Sequence, residues 1–238
     1  MVVGPSGSGK SSMINAGLIP GLYSSEETST NWKTATLRPG DDPLGNMAQA
    51  LSASDILHTD DTDQFRSGTI TLPDLAQKAG LSTQTPLLLF VDQFEEIFRY
   101  DAGGAFNAQD ANTFIKLLLD AYQQPACPIY VLLTMRADFL GRCTVFPGLP
   151  EAINVGQYLV PRLTPDQIQD AIVKPIQVNQ AEITEHLVER LLNDLEGNQS
   201  QLPIMQHALM RTWDHWAKNQ QQTPIDETHY EAIGTIKE

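Results

Sequence analysis

Residues 4 to 11 read Gly-Pro-Ser-Gly-Ser-Gly-Lys-Ser and fit the pattern G-x-x-x-x-G-K-[ST] in full. No other stretch restricts the fold as much, because this spacing belongs to a loop between a buried strand and a helix. Apolar Val2 and Val3 precede it, and a helical pattern from Lys10 to Ile19 follows, ended by Pro20 and Gly21. Glycines let the backbone wrap around a phosphate, while the successive N–H groups and the helix N-terminus bind the anion. Lys10 is placed to reach the β- and γ-phosphates and Ser11 to ligate Mg²⁺. Gly4, Pro5, Ser6, Gly7, Ser8, Gly9, Lys10, Ser11 and Ser12 therefore form the candidate nucleotide-binding loop. The competing reading is a plain Gly-rich turn, but a chance match arises in only about one chain in a hundred of this length. Only Met1, Val2 and Val3 stand before Gly4, so the sequence is expected to begin inside the first strand of a longer protein.

Downstream patterning fits a parallel α/β sheet. "PLLLFVD" (86 to 92) and "PIYVLLT" (128 to 134) are continuous apolar runs, as strands buried on both faces require. Between them Phe114, Leu117, Leu118, Ala121 and Tyr122 recur at helical spacing and predict one amphipathic helix. Short strands are expected at Thr34 to Leu37 and at Tyr158 to Val160, with a helix from Leu44 to Leu51. Residues 54 to 71 read as a polar, exposed stretch before a short helix near Pro73 to Lys78. From about residue 163 strand signals cease. Thr164-Pro165-Asp166-Gln167 combines a capping box with Pro at the first helical position, and helices follow around Leu187 to Leu195 and just after Pro203. Thr228 to Glu238 reads as the start of a further helix. The expected division is 1–162, an α/β core, and 163–238, a helical lid.

A nucleotide loop that works with a metal also needs a carboxylate at the tip of a neighbouring strand, and "LLLFVDQFEE" supplies Asp92 there. Ser11 and Asp92 are the candidate metal ligands. Glu96 is the first candidate for the base that activates water, and Glu95 the second. The alternative is that both acids form a solvated helix start, where the dipole favours them. At the next strand tip, "LLTMRAD" places Thr134 and Arg136 within reach of a γ-phosphate, with Arg136 the candidate sensor of it. A surface salt bridge from Arg136 to Asp138 is its competing role. Arg99 and Arg142 have weaker claims, resting on charge alone.

Charge limits the partners. With 15 Lys plus Arg against 29 Asp plus Glu, the net charge of −14 disfavours a broad nucleic-acid surface. Cys127 and Cys143 lack the spacing of a zinc site or a disulfide framework and fit a reducing cytoplasm. Apolar runs are too short to cross a bilayer and no secretory leader is legible, so neither membrane insertion nor use of the Asn198-Gln199-Ser200 acceptor is expected.

"GPSGSGKSS", "LRPGDDPL" (37 to 44), "LLLFVDQFEEIF", "LLTMRADFLGRC", "LVPRLTPDQIQDAIVKP" (159 to 175), "LPIMQHALMRTW" (202 to 213) and "HYEAIG" (229 to 234), in this order, resemble the STAND class of signal transduction ATPases with numerous domains. These are relatives of the AAA+ and NACHT ATPases, and the likeness is greatest to the novel STAND NTPases of bacterial multidomain proteins. The resemblance implies a three-layer P-loop NTPase whose strands, numbered along the chain, are ordered 5-1-4-3-2, followed by a small helical domain. It implies ATP or ADP with Mg²⁺ as ligands, and Pro203 packed against the base; His207, one turn on, reads as core or interface. It also implies companion domains on the same polypeptide, a WD-repeat propeller among them, and nucleotide-dependent homo-oligomers. Family members carry a Gly-Arg-Glu-like segment before the first strand and a winged helix after the lid. Neither is in this sequence, so both are expected outside it.

The function this suggests is a regulatory module, in which ATP binding and slow hydrolysis switch a larger signalling or conflict-response protein. The alternative is a scaffold that holds nucleotide and hardly hydrolyses it. A transporter ATPase would need an LSGGQ-like signature and an acid directly after Asp92, where Gln93 stands. A small-molecule kinase would need an Arg-rich lid, whereas Arg162, Arg190 and Arg211 are scattered.

Overall fold

The computed structural model describes residues 1–24, 30–58, 62–102, 108–195, 201–219 and 223–236; the Asn198 acceptor motif lies outside them. The chain divides into two compact units, Met1–Gly4 with Lys10–Val160, and Pro5–Gly9 with Pro161–Glu238.

In the first unit five parallel strands, β1 (Val2–Gly4), β2 (Lys33–Leu37), β3 (Leu87–Val91), β4 (Ile129–Arg136) and β5 (Tyr158–Leu159), form one sheet in the order β2-β3-β4-β1-β5. This is the order expected from the resemblance, read from the other edge. Every residue of β3 is buried, which explains its unbroken apolar run. Each such large side chain contributes about 1.5–3 kcal/mol relative to exposure. Because all strands point the same way, their C-terminal ends gather along one rim, where ligands of open α/β sheets bind. Register places Gly4 beside Arg136, and Val91 beside both Leu37 and Leu133. The residues that leave β1, β2, β3 and β4 thus lie side by side.

Helix α1 (Lys10–Met13) passes through a π-helical stretch, Ile14–Leu18, into α2 (Ile19–Ser24). The sequence predicted an end at Pro20, and the chain instead stays helical to Ser24. The wide turn is closed by the Ile19 amide on the Ile14 carbonyl. Pro20 thereby falls in a first turn, where its missing N–H costs little. Between β2 and β3 lie α3 (Pro43–Ala53), α4 (Thr62–Arg66) and α5 (Leu72–Lys78). Residues 54 to 71 are not the exposed stretch expected: α4 lies among them, and Ile56, Leu57, Phe65 and Ile70 join the core. The adjacent pair Ile56-Leu57 and the isolated Phe65 and Ile70, set in a polar stretch, gave no periodicity to read. Helix α6 (Ala108–Gln123) buries Phe114, Leu117, Leu118 and Ala121 but leaves Tyr122 half exposed, at the margin of its stripe. Turns of 3-10 helix follow β3 and β4, at Phe94–Ala102 and Ala137–Val145, and α7 (Leu149–Val155) precedes β5.

The second unit holds α8 (Pro165–Val178), α9 (Glu185–Leu195), α10 (Gln201–Asn219) and α11 (Glu227–Glu231) around a core of Ile172, Leu187, Leu191, Leu195, Met205 and Tyr230. The Thr164 capping box is formed as its sequence predicts. His207 is exposed and is no core residue. Helix α11 is shorter than the pattern from Thr228 suggested: it closes at Glu231, and Gly234 turns the chain with φ +76°.

Candidate functional site

Asp92 leaves the tip of β3. Its amide donates to the Leu37 carbonyl at 2.8 Å, which extends the β2–β3 ladder by one step and fixes the side chain on the rim. The carboxylate is nearly buried. Its Oδ1 accepts the hydroxyl of Ser11, from the first turn of α1, and that of Thr134, from β4, the latter at 2.7 Å. Its Oδ2 accepts from Nε of Arg38 at 3.2 Å and pairs with Nη2 of the same guanidinium at 3.1 Å. A buried carboxylate is costly unless paired and hydrogen-bonded, and here both oxygens are satisfied.

Gln93, directly after Asp92, takes a left-handed conformation with φ +53°, which a non-glycine residue adopts only at a cost of about 1–3 kcal/mol. That turn aims its amide at Thr134 Oγ1, 3.0 Å away. Glu95 and Glu96 follow at once in the 3-10 turns that begin at Phe94, the Glu96 amide donating to the Gln93 carbonyl at 2.9 Å. Glu96 is buried, and its Oε2 accepts from the Gly40 amide at 3.1 Å. Glu95 is half buried, and its Oε2 accepts from the Arg136 amide at 3.2 Å.

In the loop itself Gly7 and Gly9 have φ +72° and +80°, left-handed values that explain why glycine stands there. Lys10 folds back to donate to the Gly4 carbonyl at 3.1 Å. Burial lowers the pKa of its ammonium, an effect opposed chiefly by Glu95. A half-buried cation held among carboxylates is well suited to an incoming phosphate. Ser12 is exposed.

Arg136 donates through Nε and Nη2 to Asp138, at 3.1 and 2.7 Å, and lies 5.3 Å over the Phe139 ring. The Asp138 hydrogen bonds raise its pKa, so it stays charged. Arg142 lies over the rings of Phe98 and Phe139, while the side chain of Arg99 is outside the described residues. Pro203 belongs to the second unit, in the first turn of α10, and is exposed.

The first unit therefore brings Lys10, Ser11, Asp92, Glu95, Glu96, Thr134 and Arg136 to one rim. Arg38 was missed by the sequence reading, although its strand is the neighbour of the Asp92 strand in the order 5-1-4-3-2. The charged residue at the tip of β2 was the signal that could have found it. Thr134 is turned toward Asp92 and away from solvent.

Hydroxyl and carboxylate oxygens from Ser11, Asp92 and Thr134 are the hard donors that Mg²⁺ takes, and one protein carboxylate suits a metal that shares its remaining sites with phosphates and water. The residues present fit that ion.

A family model described as Novel STAND NTPase 1 matches residues 1–238. No curated protein matches the chain. Among solved structures it is similar to the Aeropyrum pernix ORC2 protein in its ADPNP-ADP complexes, with TM-score 0.68 and 12% identity over 98% of this chain and 60% of that one. The ADP form of the same protein gives TM-score 0.68 and 12% identity, over 100% and 62% of the two chains. A chain of the E. coli MS115-1 HORMA:CdnC:Trip13 complex gives TM-score 0.58 and 16% identity, over 100% and 72%. This chain spans about three fifths of the length of the ORC2 chains. At these identities the likeness is one of fold, and the fold is that of a P-loop NTPase.

Proposed function

This chain belongs to the novel STAND NTPase 1 family, and from that premise we propose that it is the regulatory ATP-binding and hydrolysing module of a larger protein, switched by the state of its nucleotide. The observation that carries the reading is the convergence on one rim of Lys10, Ser11, Asp92 and Glu95, a phosphate cation, two metal-type oxygen ligands and an acid beyond them. In this reading the loop from Gly4 to Ser12 holds the phosphates, and Ser11 and Asp92 hold Mg²⁺. When bound, the ion would supply neutralisation of the negative charge on the phosphates. Water adds to the γ-phosphorus, its proton passes to a glutamate, and the bond to the bridging oxygen breaks to leave ADP and phosphate.

Of the two glutamates, the geometry favours Glu95. It is less buried than Glu96 and is the carboxylate with the largest effect on Lys10, whereas Glu96 is held by the turn after β2. The helical unit, with Pro203, is proposed as the lid over the base. Binding by ORC2 of ADP and ADPNP, as its structures are titled, agrees with an adenine nucleotide here.

A scaffold that holds nucleotide and hardly turns it over remains the second reading, because both glutamates accept from backbone amides and are thereby drawn from an attacking water. Calorimetric titration with ATP and Mg²⁺, followed by phosphate release over many turnovers, separates the two. Binding with repeated turnover supports the switch, binding with none supports the scaffold, and no binding overturns both.

A further inference from the structure

We propose that Arg38 is a stand-in cation: it neutralises the Asp92 carboxylate when no metal-nucleotide is bound, and gives way when one arrives. The inference rests on the nucleotide-site reading above and adds to it a residue that acts on the metal position without being a metal ligand.

Three observations carry it. Asp92 has only 5% of its side chain exposed, so its charge demands a partner. That partner on Oδ2 is Arg38, which meets it through both Nε and Nη2. Arg38 itself is 57% exposed, so leaving Asp92 returns an already largely hydrated guanidinium to solvent. On the other oxygen Ser11 and Thr134 are neutral donors that would remain compatible with a cation. Arg38 would not. A guanidinium and a divalent ion on one carboxylate repel each other, and hydrogen bonds from Arg38 draw electron density from the oxygens a metal needs.

The turn after β2 shows how such a move would be felt elsewhere. Asn46 Nδ2 holds the carbonyls of Arg38 and Pro39, and the Gly40 amide holds Glu96, so the segment carrying Arg38 is tied to α3 and to Glu96. Release of Arg38 from Asp92 therefore changes one contact of a segment that also holds Glu96. Arg38 is in this sense a positioning residue.

The test is calorimetric titration of ADP into the wild-type chain, Arg38→Gln and Arg38→Lys, each with excess Mg²⁺ and with EDTA. The readout is the factor by which Mg²⁺ tightens ADP. A pair whose cation is more than half in solvent is weak, so Arg38→Gln is expected to raise that factor by about two- to fivefold, with its affinity in EDTA unchanged. Arg38→Lys keeps the charge and should stay nearer the wild type. An unchanged factor in Arg38→Gln overturns the proposal, and so does an equal loss of affinity in both conditions, which marks a phosphate ligand or a structural role. If the wild type binds no ADP in either condition, the nucleotide reading itself fails and this inference falls with it. Binding with an unchanged Mg²⁺ factor sinks this inference alone.

Discussion

Thr134 donates its hydroxyl hydrogen to Oδ1 of Asp92 at 2.7 Å while accepting one from the Gln93 amide at 3.0 Å. One buried hydroxyl therefore locks the acid of β3 to its neighbour β4 and holds the left-handed turn that follows. Thr134→Val keeps the shape but leaves the Gln93 amide without this acceptor and Asp92 without this donor. The expected loss is about 1–3 kcal/mol, measured by urea denaturation. Thr134→Ser should restore most of it. A Thr134→Val chain as stable as the wild type would show that the hydroxyl has no such role.

Lys10 bears on binding and hardly on stability. Its ammonium gives up hydration through burial, which lowers its pKa, and donates to the Gly4 carbonyl at 3.1 Å. Lys10→Ala should therefore melt close to the wild type. It removes charge-assisted hydrogen bonds to phosphate worth about 1.5–3 kcal/mol, a loss of about ten- to a hundredfold in affinity. Titration with ATP and Mg²⁺ checks it. Undiminished affinity in the folded variant removes the loop from the binding site.

Glu95 and Glu96 separate by what each variant damages. Glu95→Gln is expected to lower turnover by a factor of at least about a hundred, the low end for general base catalysis, with nucleotide still bound. Glu96→Gln weakens the tie to the Gly40 amide and should lower the melting temperature more than turnover. Single-turnover phosphate release and thermal melting of both variants decide the order. The reverse pattern returns the base to Glu96.

Asp226 offers a pH test in the helical unit. It caps α11, accepting from the amide and hydroxyl of Thr228, the latter at 2.6 Å, and facing His229 Nδ1 at 2.7 Å. The Thr228 hydroxyl is the main cause that holds its pKa below the ordinary 3.8. A carboxylate with a depressed pKa stabilises the fold at any pH above 3.8, and that contribution is lost as pH falls through the folded value. For so exposed a cap the amount is about 0.3–1 kcal/mol. Asparagine caps without ionising, so the stability difference between the wild type and Asp226→Asn should be largest near neutrality and shrink below pH 3.8. A difference constant with pH would refute the charge contribution.

Strand β3 was legible because burial on both faces leaves an unbroken apolar run, Leu87 to Val91, whereas β4 shows a similar run although Tyr130 is exposed. The loop from Gly4 to Ser11 was legible because left-handed turns at Gly7 and Gly9 admit few other residues. Arg38 was not, since its meaning depends on β2 lying beside β3, a long-range pairing that no local pattern encodes. The same holds for Ile56, Phe65 and Ile70, whose burial is decided by the helices they pack beneath. The passage through Pro20 escaped notice because a π turn shifts the register by one residue without a sequence signature of its own.

Arg136 and Asp138 make the last test. The guanidinium meets both carboxylate oxygens, yet the two side chains are 44% and 56% exposed, so the pair adds about 1 kcal/mol at most. A γ-phosphate offers a stronger, more highly charged partner than Asp138, and exchange of one for the other would let the residue report a triphosphate. Arg136→Ala is expected to leave ADP affinity within about twofold, and to weaken ATP about tenfold, the loss of one charge-assisted contact. Asp138→Asn should have the opposite effect, because a neutral amide competes less well for the guanidinium and leaves it available. Parallel titrations of ADP and of a non-hydrolysable ATP analogue into the two variants give the answer. If Arg136→Ala weakens both nucleotides alike, the arginine holds the loop rather than sensing the phosphate. If Asp138→Asn then leaves the analogue's affinity unchanged as well, exchange between Asp138 and phosphate does not occur.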